Sequence, residues 1–395
     1  MQEGTPAFVK MTEIARALHH HRARGLAYLT HLRHPTTGGV YASWGSLGHV
    51  VVAEPGALIG FLGPKVTESL IGYAFPPGVQ QAENLSAHGV IDAVVPTEKL
   101  PDVLDQALAV LVDPPTPPSL SLRSGSLDPE RDAWSSVLAT RNTDRIGIRD
   151  LLRHGASGTV RLAGTKQGER DDSVLLALTR IDGQPCIVVG QDRSRQGRDN
   201  PMGPAALRQV RRAMDLAEEL RLPLVTVIDT AGAELSAEAE EGALAGEIAR
   251  CIGAMVALTV PTVAVLLGQG CGGGALALLP ADTVIAAEQA WLSPLPPEGA
   301  SVIVHDSTDR ADKLARSQHI RAIDLLDSGA IHVVVPEPEG DTAEALARAI
   351  AAEVAVTLAG RLTSAPVVID SPLAKPPERR GQTSPFAPIH DGADP

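Results

Sequence analysis

Short apolar runs alternate along this chain with amphipathic stretches of helical period, which is the pattern of an α/β protein. In the N-terminal part the pattern predicts a helix over residues 12–24, strands over 26–32 and 49–54, and a glycine-rich turn over 36–39. In the C-terminal part it predicts strands at 173–181, 185–190, 223–229, 261–267 and 283–287. Helices are predicted there at 205–221, 237–257 and 342–358, with Asp341 as the N-cap of the last.

A proline-rich segment divides the chain. Residues 113–119 read DPPTPPS, and proline both fixes φ and removes a backbone donor, so 113–129 is predicted as a linker. We expect one domain over 1–112 and a second over 130–365. The final segment, 366–395, is rich in proline, glycine and charge and is expected to be disordered.

The two parts share an internal repeat. The first contains, in order, LAYLTHL, HPTTGGVYAS, HVVVAEPGALIG and HGVIDAVVP, and the second contains PTVAVLL, GQGCGGGALA, DTVIAAEQAWLS and SGAIHVVVP. Gly38 and Gly39 thereby occupy the same repeat position as Gly270 and Cys271. Repetition of these elements in one order predicts a duplicated strand–turn–helix–strand domain.

Composition and charge exclude several classes of protein. The 34 Lys and Arg against 47 Asp and Glu give a net charge of −13, which disfavours nucleic-acid binding because phosphate contacts need a basic surface. Cys186, Cys251 and Cys271 stand far apart without a CxxC pair, so neither a disulfide framework nor a cysteine-rich zinc site is expected. Residues 251–281 carry no charge, but Pro261 and several glycines interrupt them, which predicts a buried core element rather than a membrane span. With no signal peptide at the N-terminus, we expect a cytoplasmic protein.

The glycine turns are the strongest chemical feature of the sequence. A turn between a strand and a helix leaves the first N–H groups of the helix without internal partners, and glycine lets a substrate carbonyl approach them closely. The N–H groups of Gly38, Gly39, Gly270 and Cys271 are therefore candidate oxyanion holes, one pair in each repeat. No Ser-His-Asp order or pair of catalytic carboxylates is evident, and this chemistry requires neither.

Other motifs admit different functions. Gly268, Gly270 and Gly273 form the GxGxxG pattern of dinucleotide binding, which is weak evidence here because the equivalent turn of the first repeat lacks it. The consecutive histidines at 19–21 would lie on different faces of a helix, which favours a solvated surface over a metal site. Asp229 ends a predicted strand, where it either faces a ligand or caps the following helix.

Over whole segments, the chain resembles the carboxyltransferase of bacterial acetyl-CoA carboxylase. It is similar to the β subunit in MQEGTPAFVKMTEIARAL, HPTTGGVYASWGSLGHVVVAEPGALIGFLGPKV and HGVIDAVVP. It is similar to the α subunit in RDNPMGPAALRQVRRAMDLAEELRLPLVTVIDTAGAE, AEEGALAGEIAR, PTVAVLLGQGCGGGALAL and PPEGAS. The resemblance implies two crotonase-like (ClpP/crotonase) ββα spiral domains in tandem, β-type and then α-type. Because the Gly-Gly-Ala-Arg loop of the family would precede Met1, the N-terminal domain is expected to be incomplete.

The resemblance also implies a reaction. A carboxyltransferase of this family moves the carboxyl group of carboxybiotin, carried on a separate carrier protein, to an acyl-CoA. Acetyl-CoA is the expected acceptor, giving malonyl-CoA for fatty acid synthesis, with propionyl-CoA as the other candidate. Motif matching puts the β-type oxyanion hole at Gly38 and Gly39 and the α-type hole at Gly270 and Cys271, with Thr37 and Gly272 beside them in cofactor binding.

The expected partners follow from the same resemblance. They are biotin carboxylase, the biotin carboxyl carrier protein and a second copy of the chain, since the half-sites of the family meet across a dimer. No zinc is expected, because the four-cysteine ribbon of family β subunits has no counterpart in this sequence.

Two alternative functions remain open. The same fold could serve a CoA-thioester hydratase, isomerase or decarboxylase, which would need a carboxylate beside an oxyanion hole, and Glu234 and Glu298 are the candidates. The chain could also be a non-catalytic subunit of a carboxylase. The acyl preference is open as well, because residues 291–297 replace a tyrosine-containing stretch of the family pattern.

Overall fold

The structure, a computed structural model, describes residues 4–119, 125–197, 200–337, 340 and 342–363. The N-terminal half runs α1 (Gly4–Ala23), β1 (Leu29–Leu32), β2 (Thr36–Thr37), β3 (Val50–Ala53), β4 (Ile59–Gly60), α2 (Pro64–Ile71), α3 (Ala82–Ala87), β5 (Ala93–Val94) and α4 (Leu100–Leu111). Strands β1, β3 and β5 form a parallel sheet in the order β1–β3–β5, and β2 pairs in parallel with β4. A π-helical turn over Tyr41–Gly45 follows β2.

The C-terminal half is built on a larger sheet. Its elements are α5 (Ala133–Arg141), α6 (Ile148–Gly155), β6 (Ala156–Leu162), β7 (Val174–Ile181), β8 (Gln184–Gln191), α7 (Pro204–Leu220), β9 (Leu224–Thr230), α8 (Ala237–Glu241), α9 (Leu244–Ala257), β10 (Thr262–Cys271), α10 (Gly272–Leu276), β11 (Thr283–Ala287), β12 (Trp291–Ser293), α11 (Pro297–His305), α12 (Ala311–Ser317), α13 (Ala322–Asp327), β13 (Val333–Val335) and α14 (Ala343–Thr363). The sheet order is β13–β11–β10–β9–β8–β7–β6, and β12 pairs with the end of β10. Strands from β8 to β13 run parallel, while β7 is antiparallel to both of its neighbours, β6 and β8.

Burial on both faces explains why the strands of this sheet are continuous apolar runs. Every residue of β7 and of β9 is buried. Such runs are typical of a parallel sheet whose two faces are covered by helices. Helices α7 and α14 pack against the sheet. Pro204 stands at the first position of α7, where its missing N–H leaves no hydrogen bond unmade.

The predicted elements of the C-terminal half are present, most of them with bounds shifted by a residue or two, but two predictions are wrong. The strand predicted at 261–267 continues to Cys271, so Gly268 and Gly270 are strand residues rather than turn residues. The helix predicted over 237–257 is broken into α8 and α9, because Ala243 adopts a left-handed φ of 63°.

The remaining predictions concern the N-terminal half and the residues near the C-terminal end of the chain. In the N-terminal half, the helix predicted at 12–24 begins earlier, at Gly4, and the strand predicted at 26–32 is shortened to Leu29–Leu32. Asp341 lies outside the described residues, and the Thr342 hydroxyl oxygen accepts the Ala345 N–H at the start of α14, at 3.1 Å. The tail predicted at 366–395 also lies outside the described residues.

The internal repeat is confirmed by the strand order. In the first half β1, β3 and β5 follow the same parallel order as β10, β11 and β13 in the second, and the short pair β2–β4 corresponds to the pairing of β12 with the end of β10. Gly89 and Gly329, which share a position in the repeat, both adopt positive φ, at 65° and 75°. The two copies therefore share local backbone geometry as well as sequence.

The two halves pack against each other over a common core. Val50, Val52 and Val110 of the first half belong to the same buried cluster as the strands of the large sheet. The predicted linker follows the β7–β8 turn, where the Arg180 guanidinium donates to the carbonyls of Asp113 and Pro114. The division into domains at 1–112 and 130–365 stays a prediction.

Candidate active site

The first glycine turn lies between β2 and the π-helical turn. Gly38 adopts a left-handed φ of 68°, and its N–H donates to the Phe61 carbonyl at 2.9 Å. The Gly39 N–H has no acceptor among the described residues. A Cβ at Gly39 would lie 2.3 Å from the Sδ of Met11 in α1, so a larger residue there requires the Met11 side chain to move. Thr37 pairs with Gly60 and precedes the turn. Of the two predicted donors, Gly39 is therefore the one whose N–H is available.

The second glycine turn is the junction between β10 and α10, where Gly270 and Cys271 end the strand and Gly272 begins the helix. Gly270 lies between Thr230 of β9 and Leu292 of β12, and a Cβ on it would lie 2.8 Å from the Trp291 carbonyl oxygen. Gly272 opens α10 with a left-handed φ of 63°. The close approach of three strands thus requires glycine at 270, and the sharp entry into α10 requires it at 272.

The side chain of Cys271 is packed into the interior. It belongs to a buried cluster with Val137, Trp291, Ala315 and Ile320. Burial raises the pKa of the Cys271 thiol to about 11, so the thiol stays neutral and is a poor nucleophile. A cysteine can therefore stand at this position of the turn without its sulfur competing for the backbone N–H.

The structure brings the site residues together in two groups. Thr37, Gly38 and Gly39 form the first turn, and 270–272 form the second. Among the described residues, no hydrogen bond connects the two turns. The residues flanking them also belong to different buried clusters. The two turns are therefore separate within one chain.

Two buried side chains lie beside the second turn. Sequence analysis did not identify Gln191, and it left two roles open for Asp229. Asp229, 1% exposed, accepts the Gln269 N–H at 3.0 Å, and Arg193 lies 3.3 Å from its other oxygen. Burial raises the pKa of Asp229, and Arg193 opposes that shift in part. Gln191 accepts the Asp229 N–H at 2.9 Å and donates to the Gly274 carbonyl at 2.8 Å.

Asp229 therefore has neither of the roles considered from the sequence. Its carboxylate is turned onto the backbone of β10, and Ser236 caps α8 by accepting the Ala239 N–H. The signal that could have identified Gln191 is a polar residue that ends the apolar strand β8. Its partners could not be read from the sequence, because they lie on β9 and α10.

The candidate carboxylates of a hydratase are both engaged. Arg141 holds Glu298 with two hydrogen bonds of 2.6 and 3.0 Å, and this pairing lowers the pKa of Glu298. Glu298 is therefore a paired anion and not a proton donor near neutral pH. Glu234 accepts the Ser236 hydroxyl at 2.7 Å.

No cluster of potential metal ligands is found in the described part of the chain. Among the same residues, no helix is both long and apolar enough to cross a bilayer. All three cysteines are buried and free.

Comparison with known proteins identifies the family to which the sequence is similar. Residues 128–372 match the sequence family described as acetyl co-enzyme A carboxylase carboxyltransferase-like. The chain is 56% identical over 360 residues to the "Probable biotin-dependent acyl-coenzyme A carboxylase beta3 subunit" of Mycobacterium tuberculosis, covering 90% of this chain and 72% of that protein. It is 36% identical over 350 residues to the "Acetyl-coenzyme A carboxylase carboxyl transferase subunits beta/alpha" of Saccharopolyspora erythraea, covering 86% of this chain and 61% of that protein.

Solved structures show the same fold. A transcarboxylase 12S structure with hydrolysed methylmalonyl-coenzyme A bound superposes with a TM-score of 0.70 at 17% identity, covering 96% of this chain and 73% of that one. A single-chain, multi-domain long-chain acyl-CoA carboxylase gives a TM-score of 0.66 at 18% identity, covering 87% of this chain and 33% of that one. The predicted α/β fold with crotonase-like architecture is confirmed.

The fold and the sequence matches together define a crotonase-like carboxyltransferase. The chain belongs to the acetyl-CoA carboxylase carboxyltransferase-like family. More particularly, it is a carboxyltransferase component of the biotin-dependent acyl-CoA carboxylases.

Proposed function

We propose that this chain transfers a carboxyl group from carboxybiotin, borne by a separate carrier protein, to the α-carbon of acetyl-CoA, giving malonyl-CoA for fatty acid synthesis. Propionyl-CoA is the second candidate acceptor. The observation that carries the proposal is the recurrence of a glycine turn at equivalent places in both halves, with the Gly39 N–H lacking an acceptor among the described residues. A neutral, buried Cys271 thiol further supports chemistry by backbone donors at the second turn.

The residues of the chain act as hydrogen-bond donors in this reaction. Carboxybiotin supplies the carboxyl group and, once it has lost that group, the base for the α proton. Gly39, with Gly38 beside it, donates to one oxygen that gains negative charge, and the Gly270–Cys271 backbone donates to the other. A preorganised donor of this kind is worth about 3 kcal/mol of transition-state stabilisation. Thr37 and Gly272 shape the approaches to the two turns.

A homodimer would join the half-sites. Phe61, whose carbonyl accepts the Gly38 N–H, is 67% exposed, and Leu70 and Tyr73 on the segment that follows it are 70% and 63% exposed. A second apolar patch lies on α11, where Ile303 and Val304 are 72% and 58% exposed. Apolar patches of this kind favour a protein interface. We propose that the first turn of one copy faces the second turn of its partner, with biotin carboxylase and the biotin carboxyl carrier protein completing the complex.

Carboxyl exchange between malonyl-CoA and free biotin tests the proposed reaction. We expect exchange by the folded protein, and faster exchange with malonyl-CoA than with methylmalonyl-CoA. A folded dimer without exchange above background would overturn the assignment. Calorimetric titration with acetyl-CoA then separates the alternatives, since a non-catalytic subunit would bind no acyl-CoA. The pairing of Glu298 with Arg141 argues against a hydratase.

A further inference from the structure

Gln191 and Asp229 bracket the second glycine turn. Asp229 holds the N–H of Gln269, the residue before Gly270, at 3.0 Å. On the other side of the turn, the Gln191 side-chain amide donates to the carbonyl of Gly274, a residue of α10, at 2.8 Å. The two brackets are also linked, because the Gln191 amide oxygen accepts the Asp229 N–H at 2.9 Å. The backbone from 269 to 274 is thus fixed at both ends by one connected pair of side chains.

The carboxylate of Asp229 replaces a missing strand contact. The register between β9 and β10 shifts between Leu266 and Gly270, so the regular ladder is interrupted just before the turn. Asp229 supplies the acceptor for Gln269 inside this interruption. Gly268 makes room for it, because a Cβ at that position would lie 2.4 Å from the carboxylate oxygen.

Burying a carboxylate here is costly, and Arg193, with Arg145 as a second cation, offsets that cost only in part. Asp229 is 1% exposed, and desolvation disfavours its ionised form. Arg193, 3.3 Å away, is itself anchored by the carbonyls of Thr140 and Asn142. A strand end could be held more cheaply by ordinary ladder hydrogen bonds, so the arrangement points to a requirement for exact placement of the following residues.

We infer that Asp229 and Gln191 are positioning residues for carboxyl transfer, fixing the Gly270–Cys271 backbone as a preorganised donor pair. The inference rests on the proposed function. Donors that need not reorient during the reaction stabilise developing charge most strongly, and a misplacement of about 1 Å costs about 100-fold in rate. Neither side chain needs to touch the substrates to have this effect.

The test compares Asp229→Ala with a matched control on the same strand. At the other end of β10 the Asp282 carboxylate accepts the Thr262 N–H at 2.9 Å and the Thr262 hydroxyl at 3.0 Å, so Asp282→Ala removes carboxylate contacts to the same strand far from the turn. We expect Asp229→Ala to lower kcat for carboxyl exchange about 100-fold, with KM for both substrates within about twofold, because the lost interaction acts on the transition state. Asp282→Ala should lower the melting temperature and leave kcat unchanged.

The conservative variant Asp229→Asn and a hydrogen-exchange measurement distinguish a positioning effect from a loss of folding. Asp229→Asn keeps an acceptor for Gln269 and should recover kcat to within about tenfold of the wild type. In hydrogen-exchange mass spectrometry, peptides covering 268–275 should exchange faster in Asp229→Ala and in Gln191→Met, but not in Asp282→Ala.

The possible outcomes separate the two proposals. If the wild type transfers no carboxyl group, the proposed function fails and this inference falls with it. If the wild type is active but folded Asp229→Ala matches Asp282→Ala in kcat and in exchange, the inference alone is overturned.

Discussion

Asp92 and His332 occupy the same position in the two repeats and make the same hydrogen bond. The Asp92 carboxylate accepts the Val51 N–H at 2.8 Å, and His332 Nδ1 accepts the Val284 N–H at 2.9 Å. Asp92 has a second role that His332 lacks, since it also pairs with Lys166 and Arg212 of the other half. The contact made by Asp92 therefore also connects the two halves of the chain, whereas the equivalent contact of His332 does not.

Asp92→Ala is expected to destabilise the whole chain. Burial alone would raise the pKa of Asp92, but Arg212 and Lys166 hold it below its usual value, so the carboxylate is a buried anion. Its removal leaves two cations without a counter-charge, which costs about 3–5 kcal/mol in the free energy of unfolding. Urea denaturation measures the loss.

The control for Asp92→Ala is an exposed pair. Glu344 and Arg348 form an i,i+4 salt bridge with side chains 50% and 67% exposed. Glu344→Ala should change the free energy of unfolding by about 0.5 kcal/mol or less. Equal losses in the two variants would show that Asp92 does not join the halves.

Acid should weaken the contact between α1 and α7. The hydrogen bond from His49, with that from Arg22, lowers the pKa of Glu219 to about 2 from an ordinary value of 4.5. Because the pKa is lower in the folded state, the stabilisation is complete above about 4.5 and is lost as the pH falls through about 2. We expect the difference in urea midpoint between the wild type and Glu219→Gln to shrink over this range. A difference that is independent of pH would contradict the assignment.

Sequence patterns predicted the apolar framework well, because strands such as β7 and β9 are buried on both faces and read as apolar runs. They failed where a residue's conformation depends on its neighbours in space. Gly268 reads as a breaker, yet it is a strand residue because the Asp229 carboxylate fills the place of its side chain. The availability of the Gly39 N–H, and the engagement of Gly38 by Phe61, likewise depend on the pairing of β2 with β4.

Met11 and Gly39 should be energetically coupled. Gly39→Ala would place a Cβ 2.3 Å from the Met11 Sδ and displace that side chain. In a Met11→Ala background the space is open, so the second substitution should cost less. A double-mutant cycle in urea is expected to give a coupling of about 1 kcal/mol, in the range found for residues in contact. Strict additivity would show that Met11 does not lie against Gly39 in solution.

Cys271→Ala tests whether the second turn works through its backbone. The thiol is buried and its pKa is raised to about 11, so it offers neither a nucleophile nor a titrating group near neutral pH. We expect carboxyl exchange by Cys271→Ala to stay within about threefold of the wild type, since the proposed donor is the N–H that alanine retains. Folded wild-type protein should also resist alkylation by iodoacetamide, whereas urea-unfolded protein should react at all three cysteines. A variant that folds but has lost exchange would assign the chemistry to the sulfur and not to the backbone.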